Sequence, residues 1–156
     1  MDPAHSPTRD RWFDDFAEGE VFEFGDYAVT EEEIVDFARR YDPQPFHLDH
    51  EAARASHFGG LVASGWMTCA VLMRLLCDHF IPRQSSMGSP GVDEVRWLEP
   101  VRPGDRLHVR AEVLECRASR SKPDRGVVRC RHQLINQQGR TVATVLGMGM
   151  YRRRPG

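Results

Sequence analysis

The sequence has 156 residues, of which 40% are hydrophobic and 28% are charged, and these values suit one globular domain with a buried core. Its net charge of −2 at pH 7 gives the protein no general electrostatic preference for nucleic acid. No apolar run reaches the length of about 18 residues that a membrane-spanning helix needs, and the polar first residues lack the hydrophobic segment of a signal peptide.

The pattern of cysteines also gives an expectation for the cellular compartment. None of them forms a Cys-x-x-Cys pair, and each lies in an apolar or alternating segment. We therefore expect a cytoplasmic protein with reduced, buried thiols rather than a disulfide framework. The four residues are Cys69, Cys77, Cys116 and Cys130.

Two polar tails flank the predicted domain. Residues 1–11 combine two prolines with several charged residues and are expected to be disordered. Residues 12–151 form the predicted domain, and residues 152–156 form a basic, frayed tail. We find no internal repeat and no sign of a second domain.

The first predicted elements are a strand and a helix. Residues 21–27 alternate loosely in polarity, which predicts a strand. Thr30 and Glu33 fit a capping box, and apolar residues then recur at helical spacing as far as Tyr41. The helix ends where the next residues, Asp42 and Pro43, begin a proline-rich stretch.

Residues 42–47 read Asp-Pro-Gln-Pro-Phe-His and place the carboxylate of Asp42 five residues before the imidazole of His47. Each proline has φ fixed at about −65° and disfavours helical geometry in the residue before it. We therefore expect a stiff, extended loop that could hold these polar groups in place before a substrate arrives. An exposed acid and histidine at an ordinary helix end is the alternative that these six residues alone leave open.

The second half of the chain predicts one long helix and several antiparallel strands. A short helix capped by Asp49 is expected first, and Ser64 and Gly65 then open a helix that is apolar on nearly all sides and extends to Phe80. Residues 92–98, 107–113, 128–134 and 141–151 alternate or are apolar, with turns at 102–105 and 136–139 and a charged loop at 119–126. The order predicts an α+β fold in which one antiparallel sheet wraps around a long buried central helix.

With this pattern the chain resembles the MaoC-like dehydratase family of hotdog-fold proteins, which includes the (R)-specific enoyl-CoA hydratases. The family's loop reads Asp-x-Asn-Pro-(Leu or Ile)-His. Here Asp42, Pro45 and His47 match in position, Gln44 replaces the usual asparagine, and Phe46 replaces the usual aliphatic residue. The resemblance covers roughly residues 12–151 and also includes the stretch from Leu61 to Gly65 and the residues around Trp97.

The resemblance implies reversible addition of water across the double bond of an enoyl thioester, with an acyl-coenzyme A as the substrate and without a metal or another cofactor. Asp42 and His47 would hold and deprotonate the water. The Gly65 N–H, at the start of the apolar helix, would stabilise the oxyanion of the thioester, with Ser64 and Gln44 beside it. Sequence alone does not decide which member of the Asp/His pair is the base.

Other residues carry weaker predictions. Arg120, Lys122 and Arg125 could contact the phosphates of coenzyme A, although an ordinary solvated loop explains them equally well. Trp66 and Met73 could line an acyl tunnel, with core packing as the default. The histidines and acids at 47, 49, 50 and 57 match no common metal-ligand spacing, so no metal is expected. Hotdog folds usually pair edge to edge, so the resemblance also implies a homodimer.

Three alternatives remain open at this point. The substrate could be linked to an acyl carrier protein instead of coenzyme A. The chain could be a hotdog thioesterase, but that activity typically places its carboxylate on or near the buried helix, where only Asp78 is available. The chain could also be a non-catalytic subunit that binds acyl thioesters, which the Asp42 and His47 pair argues against.

Overall fold

A computed structural model describes residues 8–156, so most of the predicted tail at 1–11 lies outside the described residues. Within this range no helix is long and apolar enough to cross a membrane. A 3-10 turn at Phe13–Asp15 precedes β1. The helices and strands are, in order, β1 (Val21–Ala28), α1 (Glu31–Tyr41), α2 (Pro45–Leu48), α3 (His50–Ala55), α4 (Gly65–His79), β2 (Val92–Trp97), β3 (Arg106–Ala118), β4 (Arg125–Ile135) and β5 (Thr141–Arg152).

All five strands form one antiparallel sheet in the order β1-β3-β4-β5-β2. Alternate residues of β3, from Leu107 to Val113, are buried, and so are alternate residues of β4 from Val128 to Leu134. These side chains pack with the buried face of α4 in one hydrophobic core. The predicted α+β fold, a sheet wrapped around a long central helix, is confirmed.

The predicted helix starts follow from their caps. The Thr30 hydroxyl accepts the Glu33 N–H of α1 at 3.2 Å, and the Asp49 carboxylate accepts the Ala52 N–H of α3 at 2.9 Å. Each cap satisfies an N–H that has no partner inside its helix. The second half of the predicted capping box is absent, because the Glu33 carboxylate accepts a hydrogen bond from Tyr27 instead.

The prediction that residues 42–47 are extended throughout is wrong after Gln44. Pro45 begins the helical turn α2, which ends at Leu48 and contains His47. A proline at the first position of a helix loses no hydrogen bond there, and its fixed φ suits the helix. The turn therefore starts at the second proline of the motif.

The chain ends are also more ordered than expected. Thr8 is fully buried, and the Arg11 guanidinium pairs with the Glu20 carboxylate at 2.7 Å. At the other end, Arg153 pairs with Asp14 at 2.8 Å. Residues 8–11 of the predicted tail therefore include contacts with the domain, and Arg153 is held against the 3-10 turn.

The apolar helix α4 is not buried on all sides. Met67 and Val71 lie in the core, whereas Trp66 is 60% exposed and Met73 is 51% exposed. Core packing is therefore the wrong default for Trp66 and Met73. The expectation of buried thiols is confirmed for Cys130 and is wrong for Cys77, which is exposed. All four cysteines are free, as expected. Hydropathy did not distinguish the exposed face, because its residues are also apolar.

Candidate active site

Asp42 and His47 meet at one point on the surface of the domain. Asp42 is the C-cap of α1, and His47 lies in α2. The His47 Nε2 atom lies 3.3 Å from the Asp42 Oδ2 atom. The imidazole is buried and the carboxylate is partly buried, so the pair has limited access to solvent.

The orientation of His47 is set by a backbone carbonyl. Its Nδ1 atom lies 2.7 Å from the Val62 oxygen, which can only accept a hydrogen bond, so Nδ1 carries a proton. In the neutral ring the Nε2 lone pair then points to the side of Asp42. The Phe46 and His47 rings pack at a steep angle with a 4.5 Å separation of ring centroids, and this contact helps to hold the orientation of the imidazole.

Asp42 is held by two donors. The Gln44 amide donates to Oδ1 at 2.6 Å, and the Ser64 hydroxyl donates to Oδ2 at 2.7 Å. Burial raises the pKa of Asp42, but these two hydrogen bonds and the nearby His47 outweigh burial and lower it below its usual value. The carboxylate is therefore ionised near neutral pH, and its two oxygens have fixed positions.

The start of α4 completes the site. Ser64 is the N-cap, and its oxygen accepts the Trp66 N–H at 3.2 Å. Within residues 8–156 no acceptor occupies the Gly65 N–H, which lies at the positive end of the helix dipole. A Cβ on Gly65 would lie 2.5 Å from the Trp97 indole, whose Nε1–H donates to the Gly65 carbonyl at 2.9 Å. Glycine is required here because the indole occupies the space of a side chain.

These groups line one groove of about 440 Å³. Asp42, His47, Gln44 and Gly65 all face it, and aromatic and aliphatic side chains form the rest of its wall. Two further groups at this site were not predicted from the sequence. The Val62 carbonyl carries no signal in the sequence, and Trp97 was assigned only to a strand. The groove has an ionised acid, a base and a free backbone donor, which together can activate a water molecule and stabilise an oxyanion.

The structure does not bring the predicted phosphate contacts into this groove. Arg120 and Lys122 lie in the loop between β3 and β4, and Arg125 begins β4 and pairs with Asp124 at 2.9 Å. This loop follows the far end of β3, which is 13 residues long and spans roughly 40 Å. Within one chain these residues therefore lie at the end of the sheet away from Asp42.

Other candidate residues also lie outside the groove. His50 pairs with Glu31, and the His57 ring packs against Phe58. No set of three or more potential metal ligands is found in residues 8–156. Asp78, considered for a thioesterase, pairs with Arg74 at 2.8 Å near the C-terminal end of α4.

Comparison with known proteins identifies the family. The sequence model of the MaoC like domain matches residues 15–138. This chain belongs to the MaoC-like family. Its fold, one long helix against an antiparallel sheet, is the hotdog fold of that family. The predicted resemblance is confirmed.

Two named proteins and one solved structure are similar to this chain. The crystal structure of a MaoC-like dehydratase from Rhodospirillum rubrum is 44% identical, with a TM-score of 0.87 over 94% of this chain and 99% of that chain. The uncharacterized protein YdeM of Bacillus subtilis is 30% identical over 70% of this chain and 77% of its own length. The 3-hydroxyacyl-thioester dehydratase Z of Mycobacterium tuberculosis is 33% identical over 55% of this chain and 58% of its own length. Two of these three are named as dehydratases, and the MaoC-like family includes enzymes of the hydratase and dehydratase type.

Proposed function

We propose that this protein catalyses the reversible hydration of a trans-2-enoyl thioester, with coenzyme A as the carrier, to a 3-hydroxyacyl thioester. The observation that carries the proposal is the pair of acceptors, Asp42 Oδ2 and His47 Nε2, that lie 3.3 Å apart in a groove that also contains the Gly65 N–H. Both acceptors can bind one water molecule. The relation to dehydratase Z, whose name specifies a 3-hydroxyacyl thioester, supports this substrate class.

In the proposed reaction the water donates one hydrogen bond to Asp42 and the other to His47. His47 Nε2 takes the proton while the water oxygen forms its bond to Cβ of the substrate. The resulting imidazolium is stabilised by the adjacent Asp42 carboxylate. The electrons of the double bond move to the thioester oxygen, where the Gly65 N–H stabilises the negative charge. His47 then returns the proton to Cα, so the pair is unchanged after each turnover.

An absorbance assay on crotonyl-CoA tests the reaction. We expect Asp42→Asn and His47→Gln to lower kcat by about 10² to 10⁴, the usual contribution of a positioned acid or base. His57→Gln is the matched control, because His57 is an exposed histidine near the site that does not line the groove. Loss of activity in the two site variants alone supports the reaction, and wild-type rates in both variants would reject the roles of Asp42 and His47.

We also propose that the protein forms a homodimer through β2 and the exposed face of α4. Within residues 8–156, strand β2 is an edge strand whose one partner is β5, so one row of its backbone groups is open. Five of the exposed large apolar side chains lie on these two elements or directly after β2. They are Trp66, Met73, Val92, Trp97 and Leu98.

Light scattering on the purified protein tests the dimer. We expect Met73→Glu to give monomers, because it places a charge in the proposed interface. Val21→Glu is the matched control, since Val21 is also an exposed apolar residue but lies on the opposite edge strand, β1. A Met73→Glu protein that remains dimeric would place the interface elsewhere.

A further inference from the structure

The indole of Trp97 connects the edge of the sheet to the start of α4. Its Nε1–H donates to the Gly65 carbonyl at 2.9 Å, and both residues line the catalytic groove. Three atoms of the ring, Cε2, Nε1 and Cδ2, lie 2.5 to 2.8 Å from the point where a Cβ on Gly65 would be. The indole therefore contacts Gly65 at the place where any other residue would carry its own side chain.

The identity of residue 65 makes this contact important. Glycine has no Cβ, so its backbone adopts more conformations than that of any other residue. Gly65 is also the first residue of α4, where the N–H has no partner inside the helix. A donor to a developing charge needs a fixed direction, and here neither a side chain nor an intrahelical bond of this N–H provides it. A neighbouring group must therefore hold Gly65 in place.

The peptide group that joins Gly65 to Trp66 is held at both of its polar atoms. The Trp66 N–H donates to Ser64 Oγ at 3.2 Å, and the Gly65 carbonyl accepts from the Trp97 indole at 2.9 Å. Because a peptide group is planar, these two hydrogen bonds fix its orientation. The ring of Trp97 also occupies the position of the missing Cβ, which limits rotation at Gly65 further.

Trp97 is itself anchored in the sheet. It is the last residue of β2 and lies opposite Ala143 of β5, and the N–H of the next residue, Leu98, donates to the Val142 carbonyl at 2.8 Å. Both Ala143 and Val142 are buried, so the core holds the backbone that carries the indole. The Trp66 ring packs against the indole at 80°, with a 5.1 Å separation of ring centroids. The indole thus has a defined position from which to hold Gly65.

We propose that Trp97 is a positioning residue, which holds the Gly65 peptide so that the Gly65 N–H points into the groove. This inference rests on the proposed function, because that N–H is the proposed donor to the oxyanion of the thioester. Trp97 acts through Gly65 and needs no contact with the reacting atoms. Because the oxyanion develops in the transition state, poorer alignment of the donor lowers kcat more than it weakens substrate binding.

Carbonyl NMR tests the contact without requiring turnover. Gly65 and Trp66 form the one Gly-Trp pair of the sequence, so glycine labelled with carbonyl ¹³C and tryptophan labelled with ¹⁵N give one signal from this peptide. Trp97→Phe keeps an aromatic ring and removes the N–H donor, and we expect it to shift the Gly65 carbonyl resonance. Trp12→Phe is the matched control, because Trp12 lies beside the 3-10 turn, outside the groove, and it should leave the signal in place.

The crotonyl-CoA assay tests the effect on the reaction. We expect Trp97→Phe to lower kcat about tenfold and to change KM by less than about twofold, since loss of a whole oxyanion donor costs about 10² to 10³ in kcat. Trp12→Phe should keep the wild-type kcat and KM. Adding Trp97→Phe to Gly65→Ala should lower kcat no further than Gly65→Ala alone, because the new Cβ already displaces the indole.

The two measurements separate this inference from the proposed reaction. The inference is overturned if the carbonyl signal does not move in Trp97→Phe, or if wild type is active and Trp97→Phe keeps its kcat. Losses in kcat that add in the double variant also overturn it, because they indicate a general effect on the fold. If wild type does not hydrate crotonyl-CoA, the proposed reaction fails, and a carbonyl signal that shifts in Trp97→Phe alone still supports Trp97 as the residue that holds this peptide.

Discussion

Replacing Ser64 with alanine removes two hydrogen bonds that depend on one hydroxyl group. The hydroxyl donates to Asp42 Oδ2 at 2.7 Å and accepts the Trp66 N–H at 3.2 Å. Ser64 is fully buried, so water cannot take the place of the lost group without a rearrangement. The substitution therefore removes the cap of α4 and one of the two donors that hold the carboxylate.

The expected cost follows from these two contacts. An N-cap contributes about 1 kcal/mol to stability, and a hydrogen bond to an ionised group contributes about 1.5 to 3 kcal/mol. We therefore expect Ser64→Ala to lower the free energy of unfolding by about 2 to 4 kcal/mol. We also expect kcat/KM to fall by up to about 100-fold, because a carboxylate displaced by roughly 1 Å no longer positions the water correctly.

Urea unfolding and the crotonyl-CoA assay measure these two effects, and Thr30→Ala is the control. Thr30 caps α1 through the Glu33 N–H at 3.2 Å, which is the same kind of contact without a link to Asp42. Thr30→Ala should lower the free energy of unfolding by about 1 kcal/mol and leave activity unchanged. If Ser64→Ala is no less stable than Thr30→Ala and keeps the wild-type rate, Ser64 does not hold the carboxylate.

The pH dependence of the same variant has a defined sign. The pKa of Asp42 in the folded protein is lower than its ordinary value of 3.8, so its stabilising contribution is present above that pH and is lost as the pH falls below it. The stability difference between wild type and Ser64→Ala should therefore be the same at pH 7 and pH 5. A difference that shrinks over this range would mean that Asp42 is not ionised there.

Two further predictions concern Gly65 and His132. Gly65→Ala should lower kcat at least tenfold and change tryptophan fluorescence, because its Cβ would lie 2.5 Å from the Trp97 indole; an unchanged kcat would argue against Gly65 as the oxyanion donor. Lowering the pH from 7 to 4 should cost wild type about 3 kcal/mol more than it costs His132→Phe, since burial lowers the pKa of His132 to about 4 and folding then opposes its protonation. Urea unfolding at both pH values measures this difference. His79 is present in both proteins, so its own titration cancels in the comparison. Equal losses of stability would show that His132 is protonated without penalty.

The parts of the fold that sequence predicted well depend on local chemistry. The caps at Thr30, Asp49 and Ser64 marked the helix starts, because a capping side chain and its N–H lie within three residues of each other. The alternation of β3 and β4 marked their buried faces. Each of these signals lies within a few neighbouring residues, so it can be recognised without knowledge of the tertiary packing.

The missing parts of the site are contacts between distant residues. The Ser64 hydroxyl reaches Asp42 from 22 residues away, and the Val62 carbonyl orients His47 from 15 residues away. Residue type does not reveal either contact, since one involves a backbone oxygen and the other an ordinary helix cap. The position of the Arg120 loop depends on the full length of β3, which extends five residues beyond the predicted end at Val113.

Gln44 shows how the site accommodates its departure from the family motif. The longer side chain still presents an amide, and that amide donates to the Asp42 oxygen that does not accept from Ser64. Both oxygens of the carboxylate are therefore fixed, and Oδ2 is the oxygen that lies beside His47, where we propose that the water binds. Because Gln44 also lines the groove, we expect its extra methylene group to affect the space available to a substrate more than the proposed proton transfer. Gln44 is thus compatible with the proposed chemistry, and we expect its effect to fall on the choice of substrate.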